Sequence, residues 1–275
     1  MLIYPNAKIN LGLYITEKRA DGYHNLETVF YPIPLRDSLQ IEVQKQGVDT
    51  SDFQQAGITI EGDMTQNLVY KVYELLHKEF NLPPVKVHLY KHIPTGAGLG
   101  GGSSDAAFMM KGLNELFDLR LSDEQMEEKV GRLGADCAFF IRNTPVYATG
   151  IGNVFKPCPV SLKGWTIVLI KPNVSISTKD AYASVCPRKP EYDLMNTMQK
   201  PIELWRDYVT NDFEASVFKQ QPQIGVIKDT LYDMGAVYAS MSGSGSAVFG
   251  LFKHPVESVK SVFADCFTFQ QEIYI

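Results

Sequence analysis

The chain has no apolar run approaching the roughly 18–20 residues that a membrane helix needs. Its longest clean runs, such as Trp165–Ile170, are strand-sized. The opening MLIYPNAKINLG lacks a basic stretch followed by an uninterrupted apolar segment, so it does not read as a secretory signal. Cysteine is scarce. Cys137, Cys158, Cys186 and Cys266 form no CxxC and no close pair, and free thiols in a reducing cytoplasm are the simplest reading. Positive charge is not in surplus either: 26 Lys and Arg against 31 Asp and Glu leave a net charge of −5. That argues against a broad nucleic-acid surface but permits a local basic pocket for a small anion. No internal repeat, low-complexity segment or zinc-like His/Cys/Asp cluster is present.

What is there is an ordinary globular composition, 45% hydrophobic and 21% charged over 275 residues. The length fits about two domains. Strand and helix signals are mixed throughout, which gives an α+β (α/β two-domain) class. Residues 7–15 (AKINLGLYI) alternate, with Ala7, Ile9, Leu11, Leu13 and Ile15 on one face. Lys8 and Asn10 therefore lie side by side on the other. A loop with a turn at Asp21-Gly22 is expected over 16–25, and strands over 27–33, 38–45 and 57–61. Helical spacing over 67–80 uses Leu68, Val72, Leu75, Leu76 and Phe80. Residues 85–90 alternate again, and 104–117 predicts a helix with Ala106, Met109, Met110, Leu113 and Phe117 on one stripe. Ser122 to Gln125 is a capping-box pattern, with Gly134 as the expected stop of that helix.

The second half begins after a turn-rich stretch, 150–164. A buried strand is expected over 165–171 and a capped helix start at Ser177. Residues 187–202 read as loop. Helices are expected over 212–219 and 223–234, a strand over 236–241, a turn at Ser242–Ser246 and a strand over 247–252. A helix over 255–264 and a strand over 267–275 complete the chain. The order strand, helix, strand, strand, helix, strand is that of a ferredoxin-like unit. The expected domains are 1–155 and 156–275.

The strongest chemical signal is PTGAGLGGGSSDAA, residues 94–107, between a patterned strand and a patterned helix. Glycines let backbone N–H groups approach an anion closely, and a helix start adds free N–H groups and a positive dipole end. Ser103 and Ser104 add hydroxyls for a phosphate oxygen or a metal ion. A flexible linker is the alternative, but linkers are rarely clamped between two patterned elements. The P-loop pattern fails because no lysine follows the glycines. Gly96, Gly98 and Gly101 satisfy GxGxxG, yet Asp118 falls at a helix end where a dinucleotide fold needs a second strand. The protein-kinase pattern fails at Ser103, and no HRD or DFG triplet exists.

PTGAGLGGGSSDAA resembles the central motif of the GHMP kinase superfamily. AKINLGLYI (7–15) resembles its first motif and SMSGSGSAVFGLF (240–252) its third, in the right order. The resemblance implies an N-terminal nucleotide domain and a ferredoxin-like C-terminal domain, with the active site in the cleft between them. AKINLGLYITEKRADGYHNLETVF (7–30) and GADCAFFI (134–141) are similar to one branch in particular. Members of that branch phosphorylate 4-diphosphocytidyl-2-C-methyl-D-erythritol in the non-mevalonate route to isoprenoid precursors. The implied reaction moves the ATP γ-phosphoryl group to the substrate 2-hydroxyl, with Mg2+ arriving on ATP and no protein metal ligand named. The alternative is another small-molecule kinase of the superfamily, of homoserine or mevalonate type.

The resemblance assigns roles residue by residue. Lys8 is implied as catalytic and Asn10 as a substrate contact; the pattern alone permits a solvated strand face. Asp136 is the implied general base; on pattern it is an N-cap for 137–141. Tyr23 and His24 are implied to hold a cytosine ring, with Tyr182 as the opposite face of an aromatic sandwich. Thr178 is an implied substrate contact or an N-cap. ATP is implied to lie on Pro94, Thr95, Gly96, Ala97, Gly98, Leu99, Gly100, Gly101, Gly102, Ser103 and Ser104. Asn67 and Lys91 match positions near the adenine; otherwise they read as a helix N-cap and a snorkelling surface lysine. Ser242–Ser246 either faces the substrate phosphates or is a hairpin turn. The expected partners are ATP and a small cytidyl diphosphate substrate, with no nucleic acid and no membrane, in the cytoplasm.

Overall fold

The computed structural model describes residues 1–60 and 62–274. The chain opens with β1 (Leu2–Ile3), the long strands β2 (Asn6–Lys18) and β3 (His24–Arg36), and β4 (Ser38–Val43). Then come β5 (Asp52–Gly57), helix α1 (Leu68–Phe80) and β6 (Val85–Lys91). The glycine-rich turn leads into α2 (Gly101–Leu116), α3 (Asp123–Gly131) and the one-turn α4 (Phe139–Arg142). Next are β7 (Val146–Thr149), β8 (Val154–Pro157), β9 (Thr166–Lys171), α5 (Thr178–Ala183), α6 (Leu194–Thr197) and α7 (Trp205–Tyr208). The chain closes with α8 (Glu214–Gln220), α9 (Pro222–Asp233), β10 (Tyr238–Met241), β11 (Val248–Phe252), α10 (Val259–Val262) and β12 (Phe267–Glu272). No helix among the described residues is long and apolar enough to cross a membrane.

These elements form two compact units. The first comprises Met1–Ala7, Leu35–Thr95 and Gly100–Asn143. Its sheet has the order β1-β4-β6-β5, antiparallel except for the parallel pair β5 and β6. Helix α2 lies close to this sheet because Gly112 has no side chain there: a Cβ would come within 2.8 Å of Ile41. Ala106, Met109, Met110 and Leu113 are buried as the stripe predicts. In α3, both arms of the Ser122–Gln125 capping box are made. That helix ends at Gly131 with Arg132 as its C-cap, so Gly134 is not its stop.

The second unit comprises Lys8–Pro34, Gly96–Leu99 and Thr144–Ile275. It holds two sheets, β2-β3-β7-β8 and β10-β11-β9-β12. In the latter all neighbours are antiparallel. Numbered by chain position, its strands run 4-1-3-2, and with the helices this is the ferredoxin-like arrangement the element order predicts. Val168, Ile170 and Val248 of the sheet share a core with Ile224, Ile227 and Leu231 of α9. Gly235, with φ +97°, ends that helix.

Several expectations are corrected. The strand expected over 57–61 is instead β5, Asp52–Gly57, and Glu61 lies outside the described residues. Strand β5 is an edge paired on one side only, so polar Asp52, Gln54 and Gln55 are accommodated and apolar alternation is not needed. The buried stripe of α1 is Val69, Val72, Tyr73 and Leu76; Tyr73 joins the core because its hydroxyl donates to the Pro83 carbonyl. The loop expected over 16–25 shrinks to a turn at 19–23 because β2 runs on to Lys18. Short elements break the other loops, namely β8 within 150–164 and α6 within 187–202. The helix expected over 255–264 is one turn, and β12 ends at Glu272; the remainder of that expected strand includes Ile275, outside the described residues.

Candidate active site

Strand β2 is buried on both faces from Asn6 to Ile15. Lys8 is only 4% exposed and Asn10 2%, so the solvated-face reading is excluded. The Lys8 ammonium donates to Asn10 Oδ1 at 2.7 Å and sits 4.7 Å from the centre of the Phe30 ring. Asn10 Nδ2 donates to Thr28 Oγ1 at 2.9 Å, and Thr28 donates on to the Gly12 carbonyl at 2.5 Å. The carboxamide therefore has one orientation, oxygen toward the cation and nitrogen toward the hydroxyl. A cation held this way, with little water around it, acts strongly on any charge that develops beside it.

The same unit carries Gly96–Leu99, the front of the glycine-rich turn. The Lys8 N–H donates to the Leu99 carbonyl at 3.0 Å. Ser242 Oγ accepts from the Asn10 N–H at 3.3 Å and donates to the Gly98 carbonyl at 2.9 Å. The Ala247 N–H donates to the Ala97 carbonyl at 3.3 Å. Gly98 has φ +74°, and a Cβ there would overlap the Ser242 carbonyl. The second glycine turn thus packs directly against the first. Its outer hydroxyls are committed to structure, Ser246 donating to the Val174 carbonyl at 2.6 Å. Ser244 Oγ remains half-exposed, 3.3 Å from Thr178 Oγ1. Thr178 is not an N-cap; Ser177 fills that position in α5.

In this unit too, His24 stacks on Tyr182 with ring centres 5.1 Å apart and planes 25° apart. Tyr182 in turn meets the edge of Phe213. The His24–Tyr182 spacing is that of direct ring contact, with no gap for a third ring. Burial, helped by the Lys18 cation, lowers the His24 imidazole below its ordinary value, which favours the neutral ring. Tyr23 is 61% exposed.

The first unit carries the rear of the glycine-rich turn. Gly100, with φ +69°, is the N-cap of α2 and offers no side-chain cap. The N–H groups of Gly101, Gly102 and Ser103 in the first turn of α2 lack intrahelical partners, the Ser104 N–H being the first to close on the Gly100 carbonyl, and this makes an anion site of Gly101–Ser103. Ser104 is fully buried, and among the described residues its hydroxyl has no hydrogen-bond partner. Among the described residues no three His, Cys, Asp or Glu side chains gather for a metal. A divalent ion carried by phosphates needs few protein ligands, and the Ser104 hydroxyl is chemically suited to be one.

Lys91, at the end of β6, is 1% exposed, which overturns the surface-lysine reading. Its ammonium pairs with Asp37 and with Asp105, the latter at 2.5 Å. Asp37 also accepts the N–H groups of His92 and Ile93, at 2.5 and 2.8 Å. Burial pulls the Lys91 amine down, but the two carboxylates outweigh it and hold the amine above its ordinary value. Burial, joined by Asp37 and opposed by Lys91, pushes the Asp105 carboxyl up to about 7. Gly101 lies directly over this cluster; a Cβ there would stand 2.9 Å from Ile93 and 3.4 Å from the Lys91 nitrogen. Asn67 is the N-cap of α1, accepting from the Val69 N–H at 2.9 Å. Asp136 lies in the turn before α4. The N-cap there is Ala138, because tight turns from Gly134 and Cys137 delay the helix.

Comparison with known proteins follows the same lines. The family model for the GHMP kinases N terminal domain matches residues 67–144, and that for GHMP kinases C terminal matches 195–267. A Bacteroides fragilis protein named 4-diphosphocytidyl-2-C-methyl-D-erythritol kinase is 55% identical over 99% of this chain and 100% of its own length. The chain belongs to the GHMP kinase family. A Bacteroides thetaiotaomicron protein of the same name is 58% identical to this GHMP kinase over 92% of each chain. A crystal structure of 4-(cytidine 5'-diphospho)-2C-methyl-D-erythritol kinase superposes with a TM-score of 0.81, at 28% identity and 99% coverage of both chains.

In this GHMP kinase, Lys8, Asn10, Gly96, Ala97, Gly98 and Leu99 come together with Ser242 in the second unit. His24 and Tyr182 form a separate aromatic pair there, and Thr178 meets Ser244. Pro94, Thr95, Gly100–Ser104, Asn67, Lys91 and Asp136 belong to the first unit. Sequence reasoning missed Asp37 and Asp105, because a buried ion cluster joins residues far apart in sequence and leaves no periodic trace. Asp105 in SSDAA reads as an ordinary first-turn acid of a helix. Asn211, Asp212 and Glu214 were missed for the same reason.

Proposed function

We propose that this GHMP kinase transfers the γ-phosphoryl group of ATP to the 2-hydroxyl of 4-diphosphocytidyl-2-C-methyl-D-erythritol, a step in isoprenoid precursor synthesis. What carries the reading is whole-chain identity above half to relatives bearing that substrate's name. The buried Lys8–Asn10 pair supports it chemically. Asp136 takes the proton of the 2-hydroxyl; the oxygen forms its bond to the γ-phosphorus as the bond to the ADP oxygen breaks. Lys8 stabilises the charge on the moving phosphoryl group, and Asn10 fixes both Lys8 and the hydroxyl. The first turn of α2 and the Ser103 and Ser104 hydroxyls hold the phosphates, Ser104 being the residue that would touch Mg2+. Mg2+ bound with ATP neutralises phosphate charge.

Tyr23 and His24 hold the cytosine, and Tyr182 becomes a stacking face once His24 turns off it. Asn67 and Lys91 line the adenine side, Lys91 through the backbone it anchors and not through its engaged ammonium. Thr178 reaches the acceptor beside Ser244. The site takes small molecules and no nucleic acid, and the enzyme works in the cytoplasm. ADP release with Mg-ATP tests the reading, comparing the cytidyl substrate with homoserine, mevalonate and galactose. Turnover is expected with the cytidyl substrate alone and is lost in Asp136→Ala and Lys8→Ala. Turnover with another acceptor would keep the kinase and overturn the roles of Tyr23 and His24.

A further inference from the structure

We propose that the run Asn211–Glu214 is a positioning hub that fixes strand β2 and the Ser242–Ser246 turn in one register. Its catalytic consequence rests on the function proposed above. Asn211 is 4% exposed, and its side chain is fully used. Nδ2 donates to the Met241 and Gly243 carbonyls, each at 2.8 Å, and Oδ1 accepts from the Phe213 N–H at 3.0 Å. The two carbonyls flank Ser242, so a single carboxamide grips the turn on both sides of that serine. Glu214 reinforces it, accepting from Ser240 Oγ at 3.0 Å and the Met241 N–H at 2.8 Å. Lys228 neutralises that carboxylate at 2.6 Å.

The same run also closes the outer edge of β2. That strand ends its sheet, so one row of its backbone groups has no strand partner. The Leu13 N–H donates to the Thr210 carbonyl at 2.9 Å, and the Asp212 N–H donates to the Leu13 carbonyl at 2.8 Å. Asp212 Oδ2 then accepts from the Ile15 N–H at 2.8 Å. The connections form a closed ring: β2 to the hub, the hub to the turn, and Ser242 back to β2 at the Asn10 N–H. Apart from the one to exposed Thr210, each link joins buried or half-buried residues, where an unmade bond is costly and alternative geometries are few. The ring therefore sets where Asn10, and through it the Lys8 ammonium, points. Misplacement by about 1 Å costs on the order of a hundredfold in rate.

The test compares Asn211→Leu, which keeps the branching of the side chain and removes the hydrogen bonds, with Leu231→Ala, a core truncation in α9 that leaves the ring intact. Both are assayed with Mg-ATP and the cytidyl substrate at a temperature where each is more than about 95% folded. Asn211→Leu is expected to lower kcat about 30- to 100-fold with both KM values within about threefold, while Leu231→Ala keeps kcat within about twofold. Amide hydrogen exchange at 242–246 accelerates in Asn211→Leu, with β9 unchanged. A kcat within twofold of the parent, a loss equal to that of Leu231→Ala, or uniformly faster exchange would overturn the hub. If Asn211→Leu does not fold, Asn211→Asp decides in the same assays, since a carboxylate cannot donate to the two carbonyls. If the parent protein does not phosphorylate the cytidyl substrate, the proposed function fails, and the exchange measurement still decides the hub.

Discussion

The Lys8 ammonium and the Asn10 carboxamide oxygen are 2.7 Å apart, on one buried face of the first long strand. Two side chains separated by one residue on a strand point the same way. Here a neutral carboxamide, Asn10, aims the ammonium. Lys8→Met keeps the stem against Phe30 and removes the charge. Steady-state assays should show kcat lower by about 10²–10³-fold, the cost of losing one preorganised stabilising group, with a thermal midpoint within a few degrees of the parent.

The Asp37–Lys91–Asp105 cluster predicts asymmetric mutational effects. Lys91→Met leaves two buried carboxylates without their cation and should cost about 3–5 kcal/mol in denaturant unfolding. Asp105→Asn leaves Lys91 paired with Asp37 and should change stability by less than about 1 kcal/mol at pH 7. If Lys91 met adenine through its ammonium, Lys91→Met would raise the ATP KM without that loss of stability.

Asp105 also gives stability a pH dependence of a particular sign. Its folded-state pKa, about 7, lies above the value of about 4 for an unfolded carboxyl. The folded chain therefore keeps a proton that the unfolded chain has lost. The stabilisation is complete below about pH 4 and is lost as pH rises through about 7. Urea titrations across that window should fall with pH in the parent and flatten in Asp105→Asn.

His24 should act as a neutral group. Its imidazole is lowered by burial and by Lys18, so the acceptor KM should be flat above pH 7 and rise only as pH drops through the lowered value. His24→Ala and Tyr23→Ala should raise the acceptor KM at least tenfold and leave the ATP KM within threefold, by initial-rate kinetics.

Two glycines of one turn should respond oppositely to alanine. Gly98 combines φ +74° with a Cβ that would overlap the Ser242 carbonyl. Gly98→Ala should destabilise by about 2 kcal/mol or more. Gly102 lies in a helical turn with nothing within 4 Å of its would-be Cβ. Gly102→Ala should leave unfolding unchanged or stabilise it by up to about 1 kcal/mol. Calorimetry without nucleotide separates the two.

What could be read in advance follows from the range of each signal. The alternation of 7–15, the Ser122 capping box and the glycine run 94–102 are local patterns with local causes, and the structure keeps them. The ferredoxin-like order was legible because turn residues punctuate strands and helices one after another. Strand β5 was not, because an edge strand tolerates polar residues. The alternative reading of Lys91 as a surface lysine fails because nothing near it in sequence announces Asp37. Asn211 and Glu214 look like an ordinary helix start, and their hold on the Ser242 turn runs to groups some thirty residues away.

The two units are also unequal in time. Every segment of the first lies at or before Asn143, so it can close as soon as that residue clears the ribosome. The second must hold β2 and most of β3 in reserve until Thr144 onward is made. At about 5–20 residues per second, that wait is on the order of ten seconds. During it the strand that carries Lys8 and Asn10 has neither its Thr210–Asp212 edge nor Ser242, and a half-made chain exposes a strand that the finished enzyme buries on both faces.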